Sequence, residues 1–229
     1  DLQNVEEYRA YLGDHADEWA VLDSLCRITI SRFYRDRGLF QSLERDVLPA
    51  LAKTATASRD AELRCWSIGC ASGEEPYTLA LLWDLAINRL FPSLTIRILA
   101  TDADRTMVER AEEGCYTPGS LRELPPEWTA LAFDWQENRS CIRHEEREKV
   151  SFLLQDIRSQ TPQGLFHLIL CRNVAFTYFD EELQQETLAR LRNKLIAGGA
   201  LVIGIHESLP PGYAGFMPWP GSPGVYRKE

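Results

Sequence analysis

The stretch Arg64-Cys-Trp-Ser-Ile-Gly-Cys-Ala-Ser-Gly-Glu-Glu-Pro-Tyr-Thr-Leu79 constrains the fold of this chain more than any other. The apolar run Leu63 to Ile68 reads as a strand that breaks at Gly69 and passes through Gly73. Glu74-Glu75-Pro76 then opens a helix, since a first helical turn has no use for the N–H that proline lacks. Leu81, Leu82, Leu85 and Ala86 continue it at helical spacing. Strand, glycine turn and helix form the first half of a nucleotide-binding βαβ unit. Glycines there let the backbone approach a ligand that a Cβ would hold off. The dinucleotide fingerprint is not met, because Gly69-x-x-x-Gly73 lacks the third glycine and is followed by Glu74, where a pyrophosphate tolerates no negative charge.

An acidic turn suits a cationic or neutral ligand instead, and S-adenosylmethionine, with its sulfonium and protonated amine, is one. The net charge of −9 argues against a nucleic-acid partner, which needs a basic footprint. No apolar run approaches a membrane span and the N-terminus shows no signal peptide, so the expected setting is cytoplasmic, without membrane insertion. The six cysteines (Cys26, Cys65, Cys70, Cys115, Cys141, Cys171) contain no CxxC pair and are expected to be reduced, buried packing residues. With four scattered histidines they make no zinc pattern, so no metal is expected.

Taken in order, residues 1–57 read as a helical N-terminal cap, ending in the small polar run over 54–61. Residues 58–229 read as one α/β domain of alternating strands and helices, hence a doubly wound, mainly parallel sheet. Its strands are expected at Leu63–Ile68, Leu94–Thr101, Val150–Leu154, Leu165–Leu170 and Ala200–Ile205, with a helix from Asp180 stopped by Gly198-Gly199. Residues 115–149 break the alternation with loop signals and a charged run. A ligand belongs outside the carboxyl ends of such strands. Gly69 to Glu74, Asp102, Asp156, Cys171-Arg172-Asn173 and His206-Glu207 all fall there. Asp102, ending the second strand, has two roles open: binding ribose hydroxyls or capping the next helix. Asp104 is better placed for the cap, which leaves Asp102 for the ribose.

Several stretches together resemble the CheR-type chemotaxis methyltransferases, S-adenosylmethionine-dependent enzymes that esterify receptor glutamates. They are Ile28-Thr-Ile-Ser-Arg-Phe-Tyr-Arg-Asp36, Trp66 to Tyr77, Ala100-Thr-Asp102, Cys171-Arg-Asn-Val174 with Tyr178-Phe-Asp180, and Gly204 to Glu207, in the family's order across nearly the whole chain. The resemblance implies a class I (Rossmann-like) methyltransferase sheet, a helical cap over the cofactor and a small β-subdomain at 115–149. Carried over by motif, Thr29, Ser31 and Arg35 contact the ligand from the cap, and Glu74 lies in its pocket. Asp102 binds the ribose, and Asp156 with Ile157 lies on the adenine side. Arg172 and Asn173 line the catalytic edge beside Tyr178.

On this reading Arg35, Arg172 and Tyr178 orient an acceptor carboxylate, most simply a protein glutamate, and S-adenosylhomocysteine is the product. Three residues, Ala175-Phe-Thr177, separate Arg-Asn-Val from Tyr-Phe-Asp where the family usually has two, and Gly204-Ile-His-Glu207 replaces Gly-His-Ser-Glu. These departures concern the acceptor side. Two rivals therefore stay open: another protein or a small molecule as acceptor, and a non-catalytic S-adenosylmethionine-binding module. His206 is either an acceptor-side base or a structural histidine.

Overall fold

The computed structural model describes residues 4–15, 17–19, 21–22, 31–136 and 138–229. By contact the chain forms two compact units, Asp1–Ile30 and Ser31–Glu229. In the first, helix α1 (Val5–Asp14) starts at Asn4, whose side chain accepts the Glu7 N–H at 2.9 Å. The Trp19 indole N–H donates to the Leu12 carbonyl at 2.8 Å, folding the chain back on the helix.

The second unit opens with α2 (Arg37–Ser42) and α3 (Leu48–Ala57), joined by a widened π-turn over Leu43–Val47. Their Phe40, Leu43, Leu48 and Leu51 share one core with Leu63 and Leu79. Residues 37–57 thus pack with the sheet, and the division expected after residue 57 is not a boundary in packing.

The main strands begin with β1 (Glu62–Ile68) and β2 (Thr95–Asp102), separated by α4 (Glu74–Leu82). After α5 (Arg105–Glu113) come the short strands β3 (Cys115–Tyr116), β4 (Phe133–Gln136) and β5 (Arg139–Ile142). The chain then returns through β6 (Val150–Leu154), β7 (Phe166–Cys171), α6 (Glu181–Lys194), β8 (Leu195–Val202), β9 (Phe216–Pro218) and β10 (Val225–Lys228).

The large sheet runs β6-β2-β1-β7-β8-β10-β9. Strands from β6 to β8 are parallel, and β10 is antiparallel to both its neighbours. β1 sits between β2 and β7, so strand order reverses there, the point at which open α/β sheets hold a ligand in a crevice outside the carboxyl ends. This is the doubly wound, Rossmann-like α/β fold expected.

Three readings are corrected. Gly198-Gly199 does not stop the helix, which ends at Lys194; both glycines lie inside β8. The β7–β8 register slips between Phe166 and Leu168, and Gly198 at φ +74° takes up the irregularity. Second, β9 and β10 extend the sheet beyond the five expected strands. Third, Cys115 and Cys141 are not free thiols. They face each other across β3 and β5 in the small sheet β3-β5-β4, with Cα atoms 4.0 Å apart, and form a disulfide. Cys65, Cys70 and Cys171 are free and buried, while Cys26 lies outside the described residues. Among the described residues no helix is long and apolar enough to cross a membrane.

Candidate functional site

The crevice is built on the turn between β1 and α4. Gly69 and Cys70 donate their N–H groups to the Thr101 carbonyl at 2.8 and 3.1 Å, tying the turn to β2. Gly69 (φ +67°) and Gly73 (φ +91°) both need the left-handed region. A Cβ on Gly69 would run into the Val174 side chain, and one on Gly73 would lie 3.0 Å from both Ala111 Cβ and the Tyr116 hydroxyl. The glycines are therefore required by backbone conformation and by packing against the protein itself. Tyr116, from the small sheet, holds the same turn by donating to the Ser72 carbonyl at 2.7 Å. Burial, reinforced by the charge of Glu74, pushes this hydroxyl well above its ordinary pKa, so it remains a donor.

Three carboxylates surround the turn. Asp102 accepts the Ala71 N–H at 2.8 Å with one oxygen and the Asp104 N–H at 2.9 Å with the other. Asp104, not Asp102, caps α5, accepting from Thr106 at 2.9 Å. A carboxylate at the end of the second strand is where βαβ nucleotide folds hold ribose hydroxyls. Glu75 accepts the Ser67 hydroxyl at 2.7 Å. Glu74 is 3% exposed, accepts the Ser72 hydroxyl, and has no ion-pair partner among the described residues. The Cys70 thiol lies in their combined field. Burial pushes its pKa well up, and Asp102, Glu75 and Glu74 push it further. A buried carboxylate lacking a counter-ion is costly. A cationic ligand relieves that cost, which a sulfonium with an ammonium group supplies.

Two more polar atoms point the same way: Gln155 Oε1 after β6 and Arg172 Nε after β7 are buried without a hydrogen-bond partner. One is an acceptor and the other a donor, both beyond the carboxyl ends of strands beside β2 and β1. Among the described residues no group of three or more His, Cys, Asp or Glu is arranged to hold a metal ion.

Arg172 is the centre of a second assembly. Its side chain is 3% exposed and pairs with Asp36 at 2.6 Å and Glu75 at 2.8 Å. It also donates to the Arg35 carbonyl at 3.1 Å, and its guanidinium carbon lies 5.3 Å from the centre of the Phe40 ring. The sequence reading gave this guanidinium to an acceptor; the geometry uses its fork inside the protein. What the fork grips is the end of the segment Phe33–Asp36, whose start is tied elsewhere. Phe33 donates its N–H to the Ser120 carbonyl and Tyr34 to the Thr78 hydroxyl, each at 3.0 Å. Tyr34 (φ +58°) and Asp36 (φ +64°) are both left-handed, which is uncommon for residues with side chains and clusters at functional sites. Half-buried Arg35 sits between them.

Of the other expected residues, Asn173 follows Arg172 directly, and Tyr178 ends the short helical turn after it, 62% exposed. Asp156 and Ile157 follow β6. The Asp156 carboxylate is gripped by Arg158 at 2.7 Å, and Ile157 is buried. Ser31 is half-buried at the start of the second unit, and Thr29 lies outside the described residues. His206 is exposed beside Glu207. Cys171 is packing, its thiol pushed to about 12 by burial. Sequence reading gave no role to Asp36, Glu75, Thr78, Tyr116 or Glu207. Asp36 and Glu75 were hinted at by their adjacency to Arg35 and Glu74, and Glu207 by its place at the carboxyl end of a strand.

Residues 29–219 match the family described as CheR methyltransferase, SAM binding domain. The chemotaxis protein methyltransferase of Listeria monocytogenes serovar 1/2a is 32% identical over 186 residues, covering 81% of this chain and 68% of that protein. Chemotaxis protein methyltransferase 1 of Pseudomonas aeruginosa is 34% identical over 182 residues, covering 77% of this chain and 65% of its own length. An uncharacterized 104.1 kDa protein of Rhodobacter capsulatus is 32% identical over 212 residues; these make up 91% of this chain and 22% of that protein. Among solved structures, an S-adenosylmethionine-dependent methyltransferase from Clostridium acetobutylicum ATCC 824 is 14% identical with a TM-score of 0.41, covering 72% of this chain and 49% of that one.

Proposed function

This chain belongs to the CheR family of S-adenosylmethionine-dependent methyltransferases, and from that premise we propose that it methylates a carboxylate, the side chain of a protein glutamate. The observation that carries its cofactor side is Glu74, a buried carboxylate at the start of α4 with no ion-pair partner among the described residues. S-adenosylmethionine, when bound, supplies a methyl group on a positively charged sulfur, open to in-line attack by an oxygen nucleophile.

In this reading Glu74 faces the cofactor's cationic groups and Asp102 its ribose. Asp156 and Ile157 border the adenine, the Gly69–Gly73 backbone underlies the ligand, and Ser31 contacts it. The acceptor carboxylate is already a nucleophile at neutral pH, so no general base is needed. What the protein must do is desolvate it, align it and hold it near the methyl group. Arg35 offers the planar fork for that task. Arg172 serves it indirectly, by holding the Arg35 carbonyl and the Asp36 carboxylate beside Glu75 of α4. Asn173 and exposed Tyr178 border the acceptor's approach. Chemoreceptor proteins are the acceptors to try first, since the Listeria and Pseudomonas relatives are named chemotaxis methyltransferases.

The test is transfer of tritiated methyl from S-adenosylmethionine to candidate receptor fragments, each beside a copy with its glutamates changed to glutamine. Label on the first and none on the second supports the proposal; equal label on both refutes a glutamate acceptor.

A further inference from the structure

We propose that Glu207 is a positioning residue for the transfer, a carboxylate that ties the ends of β7 and β8 together so that Asn173 and Tyr178 are presented to the acceptor. The inference rests on the methyl-transfer reading and adds a residue to it. Glu207 Oε2 accepts the Asn173 N–H at 2.9 Å and the Gly204 N–H at 2.6 Å. Its other oxygen accepts the Thr177 hydroxyl. One side chain thus binds the residue after Arg172, the turn carrying Tyr178, and the backbone just past β8.

Two features show that the knot is built rather than incidental. Asn173 is held at φ +55°, a left-handed conformation that residues with side chains seldom adopt, and its N–H in that conformation is the one Glu207 accepts. A Cβ on Gly204 would lie 2.8 Å from Glu207 Oε2 and 3.0 Å from Asn173 Oδ1, so a side chain there would displace the carboxylate from its donors. The two N–H groups on Oε2 can only donate, whereas the Thr177 hydroxyl can also accept, so glutamine can keep the three contacts only as neutral hydrogen bonds and loses the charge that strengthens them. A negative group near an acceptor carboxylate would repel it, but here the three donors draw on the charge. Asn173, Thr177 and Tyr178 are neutral, and Arg35 remains the cation for the acceptor.

The test compares Glu207→Gln with Thr177→Ala, which removes one donor at an exposed position. Three quantities are measured: hydrogen–deuterium exchange of peptides spanning 172–178 and 203–207, S-adenosylhomocysteine affinity by calorimetry, and single-turnover methyl transfer. Glu207→Gln is expected to speed exchange in both segments and leave the affinity within about threefold. It should slow transfer by about tenfold or more, the scale of a lost hydrogen bond to a charged group. Thr177→Ala should show a smaller loss of the same kind, and it carries the test alone if Glu207→Gln does not fold. Faster exchange with unchanged transfer would make Glu207 a structural tie only. Loss of affinity in step with transfer would make it part of the cofactor site. Either result overturns the proposal, as does unchanged exchange. If the wild-type chain methylates no carboxylate, the proposed function fails and the positioning role fails with it, whereas a loss confined to the variants separates the two.

Discussion

Replacing Arg172 with alanine separates the two roles open to it, because they predict different things for stability. The guanidinium is 3% exposed and pairs with two carboxylates, Asp36 and Glu75, that are themselves 20% and 15% exposed. Removing one member of a buried ion pair costs about 3–5 kcal/mol, because the remaining charge is left uncompensated. Both carboxylates keep some contact with water, which places the cost near the lower end, about 3 kcal/mol. At roughly 2–4 °C per kcal/mol for a chain of this size, Tm should fall by roughly 6–12 °C.

Lysine should recover less than half of that, since a point charge cannot bridge two carboxylates and a carbonyl. Adding Asp36→Asn and Glu75→Gln to Arg172→Ala should restore much of the stability by removing the stranded charges. Methyl transfer should stay low, because the segment around Arg35 is no longer fixed. The assay is thermal unfolding by circular dichroism beside single-turnover transfer. An unchanged Tm with transfer abolished would refute the clamp and give the fork back to the acceptor.

Three further outcomes are expected. Glu74→Gln should weaken S-adenosylmethionine binding by roughly ten- to a hundredfold in calorimetry, the scale of a lost charged interaction, and should weaken binding of the uncharged-sulfur product less. Reduction under denaturing conditions should release two additional thiols, from Cys115 and Cys141, and the reduced protein should be less stable by about 3–4 kcal/mol for a loop of this length; an unchanged thiol count would deny the bridge. Buried His167 accepts the Arg64 N–H at 3.1 Å, and burial lowers its pKa, so the unfolded chain binds the proton more readily than the folded one. Its contribution is complete above the unfolded value of about 6.5 and is lost as pH falls below it; Tm should decline from pH 6.5 to 5, and His167→Gln should flatten that part of the decline.

What could be read from the sequence follows the range of the forces involved. The turn at Gly69–Gly73 was legible because a strand-like run, two glycines and a proline-bearing first helical turn are local signals. The cap at Asp104 was legible for the same reason, and its side chain bonds backbone two residues away. β8 was misplaced because Gly198-Gly199 is a helix stop by local rules and a bulge only once β7 lies beside it. β9 and β10 are three and four residues long, too short for alternation to show. The partners of Arg172 could not be read at all, since Asp36 and Glu75 lie 136 and 97 residues away in sequence. The residue type was recognisable; its use inside the protein depended on the fold. The same holds for Cys115 and Cys141, whose pairing depends on two strands meeting across a separation of 26 residues.

The central claim is that methyl goes to a carboxylate oxygen, and the lability of the product tests it most directly. After incubation with methyl-tritiated S-adenosylmethionine and a labelled acceptor, the acceptor is isolated and treated with mild alkali. A methyl ester hydrolyses to methanol, so the account predicts that the bound tritium becomes volatile. Tritium that stays on the acceptor through alkali would mean transfer to nitrogen or carbon, and would contradict it.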